Sequence, residues 1–572
     1  MNRKLLSGDE AVARGAWEAG CRVAAAYPGT PSTEILEALA ELPDVYCEWS
    51  VNEKVALEVA LGASIAGVRS LAAMKHVGLN VAADPLFSAA YIGAYGGLVI
   101  VTADDPGMHS SQNEQDNRFY GLFAKIPVFC PADSQEAKEM TRQAFDISEE
   151  HDIPVLIRLT TRVAHSHSVV ELGSRTEVPP RTYEKRITKN MILPAFARLR
   201  HIDLEQRLQR LTAVAEKTPW NRIEPGTPDV GIVCDGVAYH YAREVFPTAS
   251  FLKLGMPYPF PAELARSFAE TVREVVVIEE VDPFIELQAR AAGIDVIGKD
   301  RLPRTGELSP GVLRQFSTEA KITPSAEPDL PSRPPALCPG CPHAGIFYAL
   351  QKQKLIIGGD IGCYTLGALP PHNAMDTCID MGASITFAHG ADKALGSLDQ
   401  RRRVAFIGDS TFFHSGITGL LNVAYNQSDV ITIISDNRTT GMTGHQPHPG
   451  TGRTLSGLET TAIDIEQLCL ACGIQRVVTV DPYKVRDTRK IVRAILTEPG
   501  PAVIISRRAC ALLPGSRQPA KQVDPDRCIG CRTCQGLGCP ALSMQHDKSA
   551  INAALCAGCG MCANLCPKEA IS

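Results

Sequence analysis

At 572 residues, with 45% hydrophobic content and 57 basic against 63 acidic side chains, the chain carries a net charge of −6 and is long enough for about three or four domains, each with its own core. So even a balance excludes a dedicated nucleic-acid surface or a basic membrane-binding face. Nineteen cysteines, with no apolar leader segment in the first twenty residues, point to a reducing, cytoplasmic setting and to metal ligation in place of disulfides.

Residues 1–180 alternate small-residue helices with short apolar runs such as 99–102 and 154–159, the pattern of a parallel sheet covered by helices on both faces. The uncharged stretch 85–103 is interrupted by Gly93, Gly96 and Gly97, so it reads as a buried helix followed by a strand at 98–101 and not as a membrane span. Residues 174–200 are charged, contain Pro179 and Pro180, and read as a linker. A second α/β unit, 181–325, has predicted strands at 230–234 and 275–279 around a helix near 239–246, and no motif with chemistry in it. Pro324, Pro328, Pro331, Pro334 and Pro335 then mark a stiff linker.

A third α/β unit, 326–515, has predicted strands at 404–407 and 430–435. Each strand runs into a polar turn, Gly408-Asp409-Ser410 and Asp436-Asn437-Arg438-Thr439. Asp409 and Asn437 are 28 positions apart, strand end to strand end across a βαβ unit, so both belong to the carboxyl edge of one parallel sheet, where open α/β sheets bind ligands. A carboxylate, an amide oxygen and the Thr439 carbonyl are hard ligands suited to Mg²⁺. This is the arrangement of the thiamine-diphosphate motif, with Ser410 in place of its last glycine and Asp436 in place of its first asparagine. Gly-Asp-Ser alone is usually a helix-entry turn; the strand context and the Asn-Arg-Thr downstream give it weight. Thiamine-dependent enzymes activate the cofactor with a glutamate from a different domain. The candidate is Glu53, which opens a helix running to Ala66, where the helix dipole alone would also favour a carboxylate.

Beyond a last linker at 514–526, two cysteine runs follow: Cys528, Cys531, Cys534 and Cys539, then Cys556, Cys559, Cys562 and Cys566, the fourth of each preceding a proline. In two-cluster ferredoxins the fourth cysteine ligates the other cluster. One 4Fe-4S set is therefore Cys528, Cys531, Cys534 and Cys566, and the other Cys539, Cys556, Cys559 and Cys562. Four residues separate Cys534 from Cys539 where three are usual, and Gly536 and Gly538 are suited to absorbing the extra one. A pair of structural zinc sites is the competing reading of the CxxC spacing.

Tyr27-Pro28-Gly29-Thr30-Pro31-Ser32-Thr33, Lys75-His76-Val77-Gly78-Leu79-Asn80, Cys338-Pro339-Gly340-Cys341-Pro342-His343 and Thr443-Gly444-His445-Gln446-Pro447-His448 resemble runs of the 2-oxoacid:ferredoxin oxidoreductases, in particular the indolepyruvate-type large subunits, over nearly the whole chain. The resemblance implies that an arylpyruvate, CoA and oxidised ferredoxin give an arylacetyl-CoA, CO₂ and reduced ferredoxin. It implies that Thr30 faces the substrate carboxylate, that His76 and Gln112 lie near the reacting carbon, and that Cys338, Cys341, Cys363 and Cys510 hold a third 4Fe-4S cluster. It also implies a smaller second subunit, two copies of each chain. Cys363 and Cys510 as buried apolar side chains are the alternative. The remaining cysteines read as structural.

The expected fold is α/β and multidomain: a pyrimidine-type thiamine-diphosphate domain at 1–180, a middle domain at 181–325, a diphosphate- and Mg²⁺-binding domain at 326–515, and a two-cluster ferredoxin-like domain at 516–572. Two competing functions remain at this point: the same chemistry on an aliphatic 2-oxo acid, and a non-catalytic electron-transfer subunit.

Overall fold

The computed structural model describes residues 2–317, 335–351 and 353–572; most of the proline-marked linker at 324–335 lies outside the described residues. The chain divides into two compact units, 1–328 and 329–572. In the first, six parallel strands are ordered Tyr46–Trp49, Val23–Ala26, Ser70–Lys75, Leu98–Asp104, Val155–Thr160 and Val128–Phe129. Ser70–Lys75 and Leu98–Asp104 are buried throughout, which is why the apolar stretch at 98–101 shows no alternation. The helix Ala83–Ile92 precedes the strand Leu98–Asp104, and no helix among the described residues is long and apolar enough to cross a membrane.

A second sheet in the same unit is ordered Glu274–Ile278, Thr227–Cys234, Ala249–Leu254 and Asn221–Glu224, the last antiparallel. The stretch expected as a linker at 174–200 is one only in part, because the 22-residue helix Pro194–Ala215 starts inside it. Its buried positions, Leu204, Arg207, Leu211 and Ala215, begin ten residues in, so its first turns look like linker.

A fully buried cation joins the two sheets of this unit. The Arg118 guanidinium pairs with Asp116 from its own loop, with Asp235 at 3.0 Å and with Glu279 at 2.8 Å, the last two from the second sheet. Removing one member of such a group leaves uncompensated buried charge and costs about 3–5 kcal/mol.

In the second unit, six parallel strands are ordered Thr377–Cys378, Leu355–Gly359, Arg402–Gly408, Val430–Asp436, Ala502–Arg507 and Val477–Val480. The cysteine-rich tail adds the hairpin Leu542–Gln545 and Lys548–Ile551 and the short helix Met561–Leu565. It is no separate bead. Leu537, Met561, Cys562, Leu565 and Ile571 share a core with Ile346, Phe347 and Phe406 of the larger sheet and its helix Pro342–Leu350. The connecting segment runs along the tail, its Gln522 and Asp524 amides donating to the Ser572 and Ala570 carbonyls.

The extra residue between Cys534 and Cys539 is taken up by the 3₁₀ turn Thr533–Leu537, which Gly538 closes at φ +60°. A Cβ on Gly538 would sit 2.8 Å from Pro371 Cδ, so space and backbone both demand glycine. Gly538→Val should therefore lose iron and acid-labile sulfide relative to wild type at equal protein yield; full content would show that the turn does not hold the tail cysteines in place.

Burial pushes the Glu280 carboxyl up to about 7 from an ordinary 4.5, and its Oε1 has no hydrogen bond. Folding favours its protonated form, so its contribution is present below about pH 4.5 and is lost as pH rises through about 7. Glu280→Gln should unfold at a higher temperature than wild type at pH 8 and at the same temperature near pH 4.5; a constant offset across that range would refute the assignment.

Candidate functional site

In the first unit the carboxyl ends of four adjacent strands, Val23–Ala26, Ser70–Lys75, Leu98–Asp104 and Val155–Thr160, lie side by side, and the loops leaving them interlock. The Thr30 turn is closed by the Ser32 hydroxyl donating to the Gly29 carbonyl at 2.8 Å and the Gly29 amide donating to Thr33 Oγ1 at 3.0 Å. Ser110 ties this turn to the next strand: its hydroxyl donates to the Thr30 carbonyl at 3.3 Å, and its own carbonyl accepts from Lys75 Nζ at 2.7 Å. Asp105 fixes the loop carrying Ser110, accepting from the Ser110 amide, the Ser111 hydroxyl and the Thr161 hydroxyl.

Burial brings the Lys75 ammonium down to about 8. His76, next in sequence, is fully buried; burial and the Lys75 charge lower its pKa, so the ring is neutral near pH 7. Its Nε2 lies 3.2 Å from the Asn113 carbonyl, while its Nδ1 is buried without a hydrogen-bond partner. Glu53 opens the helix Glu53–Ile65 behind an Asn52 cap that accepts from the Val55 amide. It is buried, and Gly78 makes its room: a Cβ there would stand 2.7 Å from the Glu53 Cγ and Oε1 atoms. Thr30, Glu53 and His76 thus lie on one edge, whereas Gln112, on the loop above them, is exposed.

In the second unit Asp409, Asn437 and Thr439 are all buried at the carboxyl edge of the larger sheet. Asp409 Oδ1 accepts from the Ser410 amide at 2.9 Å, and Oδ2 accepts from the Arg438 amide at 2.8 Å, so the two turns are joined through the carboxylate. His448 Nε2 lies 3.0 Å from the same Oδ2. Asn437 Oδ1 accepts from the Thr439 amide, Thr440 Oγ1 donates to Ser410 Oγ, and Thr439 Oγ1 is buried with no partner. A carboxylate, an amide and a threonine at one buried corner, with an orphaned hydroxyl, fit a hydrated divalent cation and a diphosphate. Asp436, which stands where the motif has asparagine, is matched by local cations: Arg507 Nε at 2.7 Å and Arg438 Nε at 3.2 Å. Burial and the Asp409 charge push its carboxyl up, and Arg507 opposes them.

The expected thiol sets meet at three places. Cys528, Cys531, Cys534 and Cys566 line one cavity, and Cys539, Cys556, Cys559 and Cys562 line another, so the fourth cysteine of each run does cross to the other group. Cys338, Cys341, Cys363 and Cys510 line a third cavity of about 80 Å³, together with His343, Asn437 and His445. Four thiols around one space fit a cubane cluster. The Cys510 amide donates to the Asn437 carbonyl at 2.9 Å, so this third group adjoins the Asp409 corner directly. Gly340 separates the third group from the second: a Cβ there would stand 2.8 Å from the Ala557 Cβ and 3.7 Å from that of Cys559.

The groups differ in surroundings. Backbone donors hold the Cys528 thiol below its usual value, and Thr533 does the same for Cys531. Ser549 Oγ lies 3.1 Å from Cys534 Sγ, and the Ala570 amide donates to Cys566 Sγ at 3.2 Å. Burial pushes Cys363 up to about 11 and Cys562 to about 12. Of the remaining cysteines, Cys21, Cys130, Cys234, Cys469 and Cys472 are buried, as expected of structural residues, but Cys378 is exposed.

Sequence reasoning gave no role to Lys75, His343 or His448, although all three lie in the motif runs quoted above. His343 is buried, its Nδ1 lies 2.6 Å from Ser435 Oγ, and burial brings its ring down to about 4, so it is a neutral wall of the third cavity.

Residues 14–231 match the family model described as pyruvate flavodoxin/ferredoxin oxidoreductase, thiamine diphosphate-binding. Residues 360–506 match the thiamine pyrophosphate enzyme C-terminal TPP-binding domain, and 520–567 match the 4Fe-4S dicluster domain. The chain is 43% identical to the indolepyruvate oxidoreductase subunit IorA of Archaeoglobus fulgidus, over 99% of this chain and 97% of that one. It is 41% identical to that subunit of Methanothermobacter thermautotrophicus, over 100% of this chain and 97% of that one, and 40% identical to that of Pyrococcus horikoshii, over 98% and 96%. With the parallel-sheet thiamine domains and the cluster-binding tail both present, the chain belongs to the indolepyruvate oxidoreductase IorA family of thiamine-diphosphate-dependent 2-oxoacid:ferredoxin oxidoreductases.

Proposed function

We propose that this chain carries out the oxidative decarboxylation of arylpyruvates such as indolepyruvate and phenylpyruvate, with CoA as acyl acceptor and ferredoxin as electron acceptor, in a complex with a smaller subunit, two copies of each. The observation that carries the reading is the contiguity of the Asp409–Asn437 corner with a four-cysteine cavity, and of that cavity with the cysteine-rich tail. It provides one continuous route for electrons from a thiamine site to the surface. The names of the full-length relatives supply the aryl substrate class.

Bound thiamine diphosphate supplies stabilisation of the charge left on a 2-oxo acid when CO₂ departs, and the clusters supply one-electron transfer. Asp409, Asn437 and the Thr439 carbonyl would hold Mg²⁺, and Gly408 and Ser410 would shape the turn beside the diphosphate. Glu53, buried at its helix start against Gly78, would be the carboxylate that activates thiamine diphosphate. Thr30 receives the substrate carboxylate. His76, neutral and with an unsatisfied Nδ1, offers one hydrogen bond to the oxo group, and Gln112, exposed on the loop after the strand Leu98–Asp104, lies near the reacting carbon.

Cys528, Cys531, Cys534 and Cys566 hold one 4Fe-4S cluster, Cys539, Cys556, Cys559 and Cys562 a second, and Cys338, Cys341, Cys363 and Cys510 a third. The first group, whose Cys531 reaches the surface, is the exit toward ferredoxin. Three clusters require about twelve iron atoms per chain. Cys363→Ser should remove about four of them and stop CoA-dependent dye reduction. Retention of the wild-type iron content would remove the third cluster from the proposal.

Anaerobic assay of the complex with indolepyruvate, phenylpyruvate and pyruvate, following reduction of a viologen dye with and without thiamine diphosphate and Mg²⁺, tests the whole reading. The expected result is strict dependence on both cofactors and preference for the aryl acids, with Asp409→Ala inactive yet carrying full iron. Preference for pyruvate would replace the substrate assignment. Undiminished turnover by Asp409→Ala would overturn the thiamine site.

A further inference from the structure

Asp9 is the second residue of the helix Gly8–Glu18; its side chain is fully buried, no N–H or hydroxyl donor reaches either carboxylate oxygen, and the Glu34 carboxyl lies within hydrogen-bonding reach of it. The donors that normally receive an acid at a helix start are already engaged. Ser7 caps the helix, accepting from the Glu10 amide at 3.1 Å, and Glu10 Oε2 accepts from the Ser7 amide at 2.8 Å. A dry carboxylate with no donor is a costly arrangement unless a cation or a proton compensates it.

What the carboxylate faces is Glu34, in the first turn of the helix Thr33–Ala40, and His165, the last residue of the helix Thr161–His165. One ligand atom from each of the three residues lies within 4.8 Å of the others, and His165 Nε2 stands 3.9 Å from Glu34 Oε2. Two carboxylates so close repel, and one imidazolium can offset only one of them. His165 holds the Glu34 carboxyl below its usual value, whereas burial and the Glu34 charge drive Asp9 well above its own.

We propose that Asp9, Glu34 and His165 form a binding site for a first-row divalent cation of the Mn²⁺ or Zn²⁺ class. An imidazole with two carboxylates suits these ions better than Mg²⁺ or Ca²⁺, which prefer oxygen alone. Ligand atoms at about 2.1 Å from such an ion stand about 3–3.5 Å apart. Glu34 and His165, both exposed, can rotate through the remaining distance, and the solvent side leaves room for water as a further ligand. The three ligands come from three helices, and Glu34 lies four residues after Thr30. A bound ion would pin the turn that carries Thr30 to its neighbours on either side.

The test is a Mn²⁺ titration of the complete anaerobic complex at room temperature, reading free Mn²⁺ by EPR, with thiamine diphosphate and excess Mg²⁺ present to fill the Asp409 corner. Wild type should bind one Mn²⁺ per chain that Asp9→Asn and His165→Ala do not bind, and Mn²⁺ should raise the unfolding temperature of wild type alone. Because His165 is exposed, its variant carries the test even where Asp9→Asn folds poorly. Equal binding by all three proteins would overturn the proposal. So would a wild type that binds no extra Mn²⁺ while Asp9→Asn is more stable, the signature of a proton shared between Asp9 and Glu34.

Discussion

Parallel strands deliver their carboxyl ends to one edge, and that constraint organises the chemistry of this chain. Thr30, Glu53 and His76 follow three strands of the first six-stranded sheet, while Cys363, Asp409, Asn437 and Cys510 follow four adjacent strands of the second. None of these residues needs a long loop to reach its place. The sheet register sets their spacing, and the hydrogen bonds among the turns, such as Arg438 and Cys510 amides to Asp409 and Asn437, lock it.

What was legible in the sequence is what chemistry forces into fixed spacing. The two cysteine runs, with a proline after each fourth thiol, announced two interleaved groups, and the cavities sort the cysteines in that way. Asp409 and Asn437 were legible because each lies at the carboxyl end of a buried strand with an apolar middle. The helix Pro194–Ala215 was obscure because its apolar stripe is narrow and begins late. Arg118 could not be read at all: its partners Asp235 and Glu279 are more than a hundred positions away, and nothing local distinguishes a buried arginine from a surface one. The same holds for His448 against Asp409 and for the trio at Asp9, each made by packing alone.

Departures from the familiar motif are matched by local compensation. Asp436 brings a second carboxylate beside Asp409, and Arg507 and Arg438 accompany it. The additional residue before Cys539 comes with a glycine in the left-handed region, wedged against Pro371. Substituting one member of either pairing without the other strands a charge or a Cβ in a place built without room for it.

The shared core of the tail and the larger sheet also bears on biogenesis. Leu537, Met561 and Leu565 close over the same apolar surface as Ile346 and Phe347, and they flank the thiols that need iron. During synthesis that surface stays uncovered until the tail has left the ribosome and the thiols within it are gathered. Gathering of the tail thiols is therefore coupled to closure of the core of the whole second unit.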